Sequence, residues 1–292
     1  MTATREQGPG APGLPLELER IEQRMFRGWP RRSMSLRPSI FGGEVVAQAL
    51  LAAGTDVTAD RLVHSLHAYF LRRGDPAVPV LYQVQDLRSG TSFTARRVVA
   101  TQHGDELLTM TASFHREEDG PRYQALTATA PAPDPPPLAD SELADADGGY
   151  ASWLSRLSEE FPVEVRFVDP PPRVAASRSG AERTFRYWVR SRDILPSNQF
   201  VHAAAVAYIS DLLLLSNAAA RHGLILGQPG LQLASLDHAV WFHDRLCAND
   251  WLLYEQRTDW TGGARALCRG ALFDGAGTLV ASVAQEGLIR QW

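Results

Sequence analysis

Cysteine is nearly missing from this sequence. Its 292 residues hold only Cys247 and Cys268, with no CxxC spacing, so neither a disulfide framework nor a structural zinc site is indicated. A reducing, cytoplasmic setting fits that shortage. A charge excess of one sign is missing too. The formal net charge of −4 leaves no electrostatic footprint for a nucleic acid or an anionic membrane surface. No apolar run is expected to approach the ~20 residues that span a bilayer, so membrane insertion is not expected. The opening MTATREQGPGAPG is polar and lacks the apolar core of a secretory signal. No GxSxG occurs, which leaves a nucleophile-elbow serine unsupported. No HExxH occurs either, and neither a metal nor a cofactor is expected. What is present, 45% hydrophobic and 21% charged residues, suits an ordinary globular protein. The length suggests roughly two domains.

Residues 1–13 read as a disordered tail. Leu16, Ile21, Met25 and Phe26 stand near helical spacing, which predicts a short amphipathic helix over 16–26. FGGEVVAQALLAAG (41–54) predicts a helix too apolar to lie on a surface, opening on a Gly pair and ending at Gly54. From Leu62 the character turns to β, with turn signals at 88–90 and 103–105. Residues 118–150 contain TATAPAPDPPPLADSELADADGG and read as a Pro-rich linker that cannot bury enough surface to pack. The pattern then restarts. Strand-like alternation at 163–168 and 184–189 precedes a second buried helix over 199–221, ended by His222 and Gly223. Gly275 and Gly277 resemble a dinucleotide-loop fragment, but no helix follows, so they mark a hairpin turn.

The restart behaves like a repeat. One constant shift superposes Leu81 and Tyr82 on Leu253 and Tyr254, Gly90 on Gly262, Arg97 on Arg269, Leu107 on Leu279 and Ala112 on Ala284. Ser65 and Leu66 match Ser235 and Leu236 once two residues are inserted. Each half is one apolar helix followed by an antiparallel meander, and a helix apolar on all sides must be surrounded. The chain therefore reads as a tandem duplication of α+β units, at 14–117 and 151–292.

Within the second helix, YISDLLLLSN (208–217) carries Asp211 among apolar neighbours. A buried carboxylate there is either satisfied structurally or set up as a base, and helical geometry alone leaves both open. Longer motifs are more specific: FGGEVVAQAL (41–50), RLVHSLHAYFLRRGD (61–75), SFTARRVVATQ (92–102), YISDL (208–212), PGLQLASLDHAVWFH (229–243), NDWLLYE (249–255) and LVASVAQEG (279–287). Together they make the chain resemble the acyl-CoA thioesterase II family from about Phe41 to Arg290, the linker apart. That resemblance implies a double hotdog, in which each half is a long central helix wrapped by a curved antiparallel sheet. It also implies hydrolysis of medium- to long-chain fatty acyl-CoA to fatty acid and CoA. The family's catalytic Asp, hydroxyl residue and Gln fall on Asp211, Ser235 and Gln285. These three are implied to activate one water that attacks the thioester directly. Ser235 stands where the family often has Thr and keeps the hydroxyl.

Other residues are read more openly. His64 and His238 line the acyl or pantetheine path or are satisfied sheet histidines. Arg96 and Arg97 suit the phosphates of CoA, or are charges on the sheet. Glu44 departs from the family's usual Gln, and it either adds a second carboxylate near a substrate cavity or has no part in it. The first helix lacks an Asp like Asp211, and Ser113 stands opposite Gln285, so the first half is expected to have lost the catalytic set. Two rivals remain, a hotdog enoyl-CoA hydratase with an Asp/His pair and a non-catalytic acyl-CoA binding protein. Association into a homo-oligomer is also open, since Trp153, Trp188 and Trp241 suit an interface or the core.

Overall fold

The computed structural model describes residues 13–31, 39–128, 130–134, 138, 139, 143, 149–176 and 184–292. The tail expected at 1–13 lies outside them apart from Gly13, whose carbonyl accepts from the Arg31 guanidinium at 2.8 Å. In chain order, β1 (Glu19–Glu22) and β2 (Met25–Gly28) precede helix α1 (Gly42–Gly54) and the meander β3 (Arg61–Phe70), β4 (Val80–Ser89), β5 (Phe93–Gln102) and β6 (Asp105–Arg116). After the linker come α2 (Tyr150–Glu160), β7 (Val163–Phe167), α3 (Pro172–Ala175), β8 (Thr184–Ser191), α4 (Gln199–Ile209) and α5 (Leu214–Ala220). The chain closes with β9 (Leu231–Ser235), β10 (Asp237–Phe242), β11 (Leu252–Gly262), β12 (Arg265–Phe273) and β13 (Leu279–Gln291).

Among the described residues, thirteen strands form one antiparallel sheet. Its order is β1-β2-β4-β5-β6-β3-β10-β13-β12-β11-β8-β7, with β9 also on β13. The halves join where β3 meets β10, from Tyr69 opposite Asp237 to Ser65 opposite Trp241. Alternation decides which side chains enter the core: Thr94, Arg96, Val98, Ala100 and Gln102 of β5 point in. Strands β3–β6 pack on α1, strands β9 and β11–β13 pack on α5, and α4 lies against α1 and β3; α1 and α4 bury ten of thirteen and eight of eleven residues. Each fully buried large side chain there, such as Leu50 or Ile209, contributes roughly 1.5–3 kcal/mol. The two helices touch with opposite ends together. A Cβ on Gly43 would lie 2.5 Å from the Tyr208 carbonyl, and one on Gly54 would lie 2.0 Å from the Phe200 ring. The start of α1 therefore sits beside the end of α4.

Four expectations about helices, spans and linker need correction. The segment 16–26 is a β-hairpin, not a helix. Phe26 pairs with Tyr82 on β4 and is buried, and Arg27 bonds Glu19 across the hairpin at 2.6 Å; sheet pairing outweighs a weak helical period. The helix at 199–221 is interrupted, with α4 ending at Ile209, α5 starting at Leu214, and Leu213 between them at φ +62°. The stretch Gln199–Ala220 does reach the length and hydropathy of a membrane span, contrary to expectation, but 89% of its most apolar window is buried inside the fold, so it reads as a core element. The linker also packs in part. Ala128 and Ala130 cover an outer cluster of Trp188, Leu253, Ala271 and Phe273, and Trp188 Nε1 donates to the Pro131 carbonyl at 2.9 Å. An apolar outer sheet face needed cover, and small linker residues supply it. Trp153 stacks on Phe167 and Trp241 meets His67 edge-on.

Irregularities of the ladders recur at one spacing in the two halves. Register shifts fall between Asp86 and Arg88 and between Ala100 and Thr101. Their counterparts, between Thr258 and Trp260 and between Leu272 and Phe273, follow at the spacing that separates Leu81 from Leu253. The shift between Val63 and Ser65 likewise recurs as the break between Ser235 and Asp237. The last strand, however, is offset by one further position. Arg96 pairs with Ala112, whereas Cys268, which the same spacing sets against Arg96, pairs with Gln285. Ala112 rather than Ser113 is thus the counterpart of Gln285. The same offset replaces the matches of Leu107 with Leu279 and Ala112 with Ala284, and the extra residue lies in the 274–278 turn. The counterpart of Ser235 is Val63, not Ser65, and no insertion is needed.

Substituting Gly54→Ala should force the Phe200 ring from its seat and cost about 1–3 kcal/mol by overpacking. A urea-unfolding midpoint measures this, and Gly120→Ala, with nothing within 4 Å of the added methyl, should leave it unmoved.

Candidate active site

The interruption after α4 places one carboxylate where a continuous helix would hide it. Asp211 follows Ser210, the C-cap of α4, and precedes Leu212 and the left-handed Leu213. It is 9% exposed. Its Oδ2 accepts the Gly43 N–H at 2.8 Å. Gly43 is in the first turn of α1, where backbone N–H groups lack helical partners and the helix dipole favours an anion. Close approach at this point requires glycine, since a Cβ on Gly42 would stand 2.8 Å from Asp211 Oδ2 and 3.0 Å from the Phe70 ring.

The other carboxylate oxygen faces the sheet. Gln285 Nε2 donates to Asp211 Oδ1 at 2.6 Å and to Ser235 Oγ at 2.7 Å. Ser235 Oγ in turn donates to Asp211 Oδ1 at 3.3 Å. Ser235 ends β9 and pairs with Gly287 on β13, and inward alternation along β13 brings Gln285, fully buried, beside it. Gln285 Oε1 is buried without a hydrogen-bond partner. An unpaired buried acceptor costs about 1–3 kcal/mol, and an O–H group from a water fits it. The cluster combines an ionisable oxygen pair, a hydroxyl and an open amide oxygen, which is the equipment to hold and deprotonate one water.

The three residues implied by resemblance therefore meet, although they come from positions far apart in the chain. The remaining predicted residues do not join them. His238 is completely buried, and its Nε2 lies 2.7 Å from Ser210 Oγ. Ser210 Oγ also donates to the Ala207 carbonyl at 2.9 Å. A hydroxyl has one proton, so Nε2–H is the donor to Ser210, and Nδ1 is left without a partner. Asp237 turns away and accepts the Glu286 N–H at 2.6 Å.

His64 bonds Ser113 at 2.7 Å beside Phe93 and His115. Arg96 is 6% exposed, pairs with Asp86 at 2.7 Å and donates to the Arg88 carbonyl, so its guanidinium is engaged within the first half. Arg97 is exposed and reaches Thr109 at 3.4 Å. Glu44 is buried and accepts the Arg31 N–H at 2.6 Å. Sequence reasoning passed over Gly43, Ser210, Tyr187, Tyr254 and Gln256. The Gly pair of FGGEVV was visible, but it carried no sign that one of its amides would face Asp211. Nothing in YISDLLLL marks a helix break.

A family model described as acyl-CoA thioesterase matches residues 157–288, and one described as acyl-CoA thioesterase N-terminal domain matches residues 30–115. Acyl-coenzyme A thioesterase 8 of Homo sapiens is 39% identical, with 94% of this chain and 87% of that protein covered. Acyl-CoA thioesterase 2 of Haemophilus influenzae is 34% identical, with 94% and 95% covered. Among solved structures, an acyl-CoA thioesterase II from Mycobacterium marinum has 39% identity and a TM-score of 0.75, covering 95% of this chain and 96% of that one. A protein with a hot dog fold from Alicyclobacillus acidocaldarius, 18% identical with a TM-score of 0.72 over 96% and 97% of the chains, shows that fold here.

Two outcomes are expected. Gly42→Ala should push the Asp211 carboxylate away from the α1 N-terminus, and the turnover number is expected to fall by at least tenfold, on the order set by a small displacement within a site; steady-state rates on a folded variant measure it. Burial pushes the His238 imidazole below its usual range, against the pull of Asp211 and Asp237. His64, His202 and His243 are shifted the same way, chiefly by burial. The unfolded chain binds these protons near pH 6.5, and the folded chain only at lower pH. Their contribution to stability is thus complete above about pH 6.5 and lost as pH falls through the folded values. The urea midpoint should drop from pH 7 to pH 5, with a shallower drop in His238→Gln.

Proposed function

The chain belongs to the acyl-CoA thioesterase family, and from that premise we propose that Asp211, Ser235 and Gln285 hold the water with which it hydrolyses fatty acyl-CoA. It is a thioester hydrolase whose products are free fatty acid and CoA. The observation that carries the site is the hydrogen bonding of Gln285 Nε2 to both Asp211 Oδ1 and Ser235 Oγ, with Gln285 Oε1 left open.

A thioester has a good leaving group, so the demanding step is delivery of an oriented, partly deprotonated water. That water donates one O–H to Asp211 and the other to Gln285 Oε1, while Ser235 helps to fix its place. Its oxygen forms the new bond to the acyl carbon as Asp211 takes the proton. The carbon–sulfur bond then breaks, and the proton passes to the departing thiolate of CoA. No covalent acyl-enzyme is required. General-base assistance of this kind supplies about 10²–10⁴-fold in rate. The Gly43 N–H, held on Asp211 Oδ2, orients the carboxylate during transfer.

The finer architecture belongs to the same reading. Residues 14–117 and 151–292 are two hotdog units joined by the 118–150 linker, supported by the three ladder irregularities that recur at one spacing in both halves. The first unit has Val63 and Ala112 where the second has Ser235 and Gln285, so chemistry is assigned to the second. The acyl chain lies along the apolar surroundings of α4, and medium to long chains are the preferred substrates. A hydratase mechanism is disfavoured because His238 Nε2 bonds Ser210 and not Asp211.

Free-thiol release from a series of acyl-CoA chain lengths tests the site. Asp211→Asn should lose about two orders of magnitude or more in turnover number with its melting temperature preserved. Equal turnover by the folded variant would remove Asp211 from the chemistry. Acyl-CoA binding without turnover in the wild type would make the protein a carrier.

A further inference from the structure

In an unbroken helix the carbonyls of Ser210 and Leu212 would accept N–H groups four residues on. At the interruption they accept side chains instead. Tyr254 Oη donates to the Ser210 carbonyl at 2.6 Å. Tyr187 Oη and Gln256 Nε2 both donate to the Leu212 carbonyl, at 2.8 and 2.7 Å. Gln256 Nε2 also lies 3.1 Å from Tyr187 Oη. Tyr187, Tyr254 and Gln256 are all fully buried. The residue between the two carbonyls is Asp211.

We propose that Tyr254, Tyr187 and Gln256 are positioning residues for hydrolysis, holding the helix break that aims Asp211 at Ser235 and Gln285. The inference rests on the reading of Asp211 as the base. The break is not a local preference, because Leu213 sits at φ +62°, a conformation disfavoured for a residue with a Cβ. It persists because the surrounding strands over-determine it.

The first half supplies the contrast. Tyr82, the counterpart of Tyr254, donates at 2.7 Å to the side chain of Gln48 on α1, which runs unbroken. The counterpart of Gln256 is Val84, whose side chain has no hydrogen bond to give. The second half thus carries a buried amide whose Oε1 has no partner, a liability that the Leu212 contact explains. Burial raises the phenols of Tyr187 and Tyr254 well above their usual range, with the Asp211 charge adding to the effect, so both stay donors.

The test is steady-state hydrolysis by Tyr254→Phe, Tyr187→Phe and Gln256→Leu, each in the wild-type and the Asp211→Asn background, with melting curves alongside. Each substitution removes polar atoms and keeps bulk, so the three are independent chances of a folded variant. Expected is a fall in kcat of about ten- to a hundredfold with KM within about twofold, and no further fall in the Asp211→Asn background. A melting shift with kcat unchanged would make the contacts merely structural and overturn the proposal. So would losses that multiply in the Asp211→Asn background, since a residue acting through Asp211 has nothing left to act on. An Asp211→Asn protein as active as wild type would instead remove the reading beneath it, and that result is visible without any of the three variants.

Discussion

Interrupting a helix inside a core strands peptide carbonyls where no water can reach them, and each unpaired one costs about 1–3 kcal/mol. The second half of this protein meets that cost at Ser210 and Leu212 with two phenols and one amide. The rest of the site follows from it. Once the peptide turns at Leu213, Asp211 leaves the apolar contact between helices. It reaches the buried Gly43 amide at the start of α1 on one side and the inner face of β9 and β13 on the other. Packing supplies the location, through the glycines that let α1 and α4 touch. Hydrogen bonding supplies the direction.

The two halves differ at a few positions that decide whether the Asp211 cluster can form. Strand order, ladder irregularities and central helix recur. The differences are Val63 against Ser235, Ala112 against Gln285 and Val84 against Gln256, together with an unbroken helix against a broken one. In each pair the first half keeps the apolar residue that a core prefers. The polar member in the second half is satisfied by its neighbours, except at the two amide oxygens of Gln285 and Gln256.

Much of this was legible in the sequence, for reasons that differ by element. The helix at 41–54 announced itself because a segment apolar on all sides has only one place to go. The trio Asp211, Ser235 and Gln285 was legible through resemblance; composition and spacing alone left Asp211 ambiguous. The hairpin at 16–26 was misread because four apolar positions satisfy a helical period and a pair of short strands equally well. Tertiary pairing with Tyr82 decided between them. The offset of β13 escaped because one extra residue in a turn leaves the sequence matches intact while reversing which side chains point inward. The break at Asp211 was illegible in principle, since its causes, Tyr187 and Tyr254, lie on strands distant from it in the chain.

The amide that meets Asp211 belongs to Gly43, in the other half of the molecule. A site divided in this way depends on an encounter between two folding units, and separate chains would have to find each other at their ambient concentration. Here residues 118–150 make the meeting intramolecular, at an effective concentration set by tether length and not by expression level. The completeness of the site is therefore insensitive to dilution.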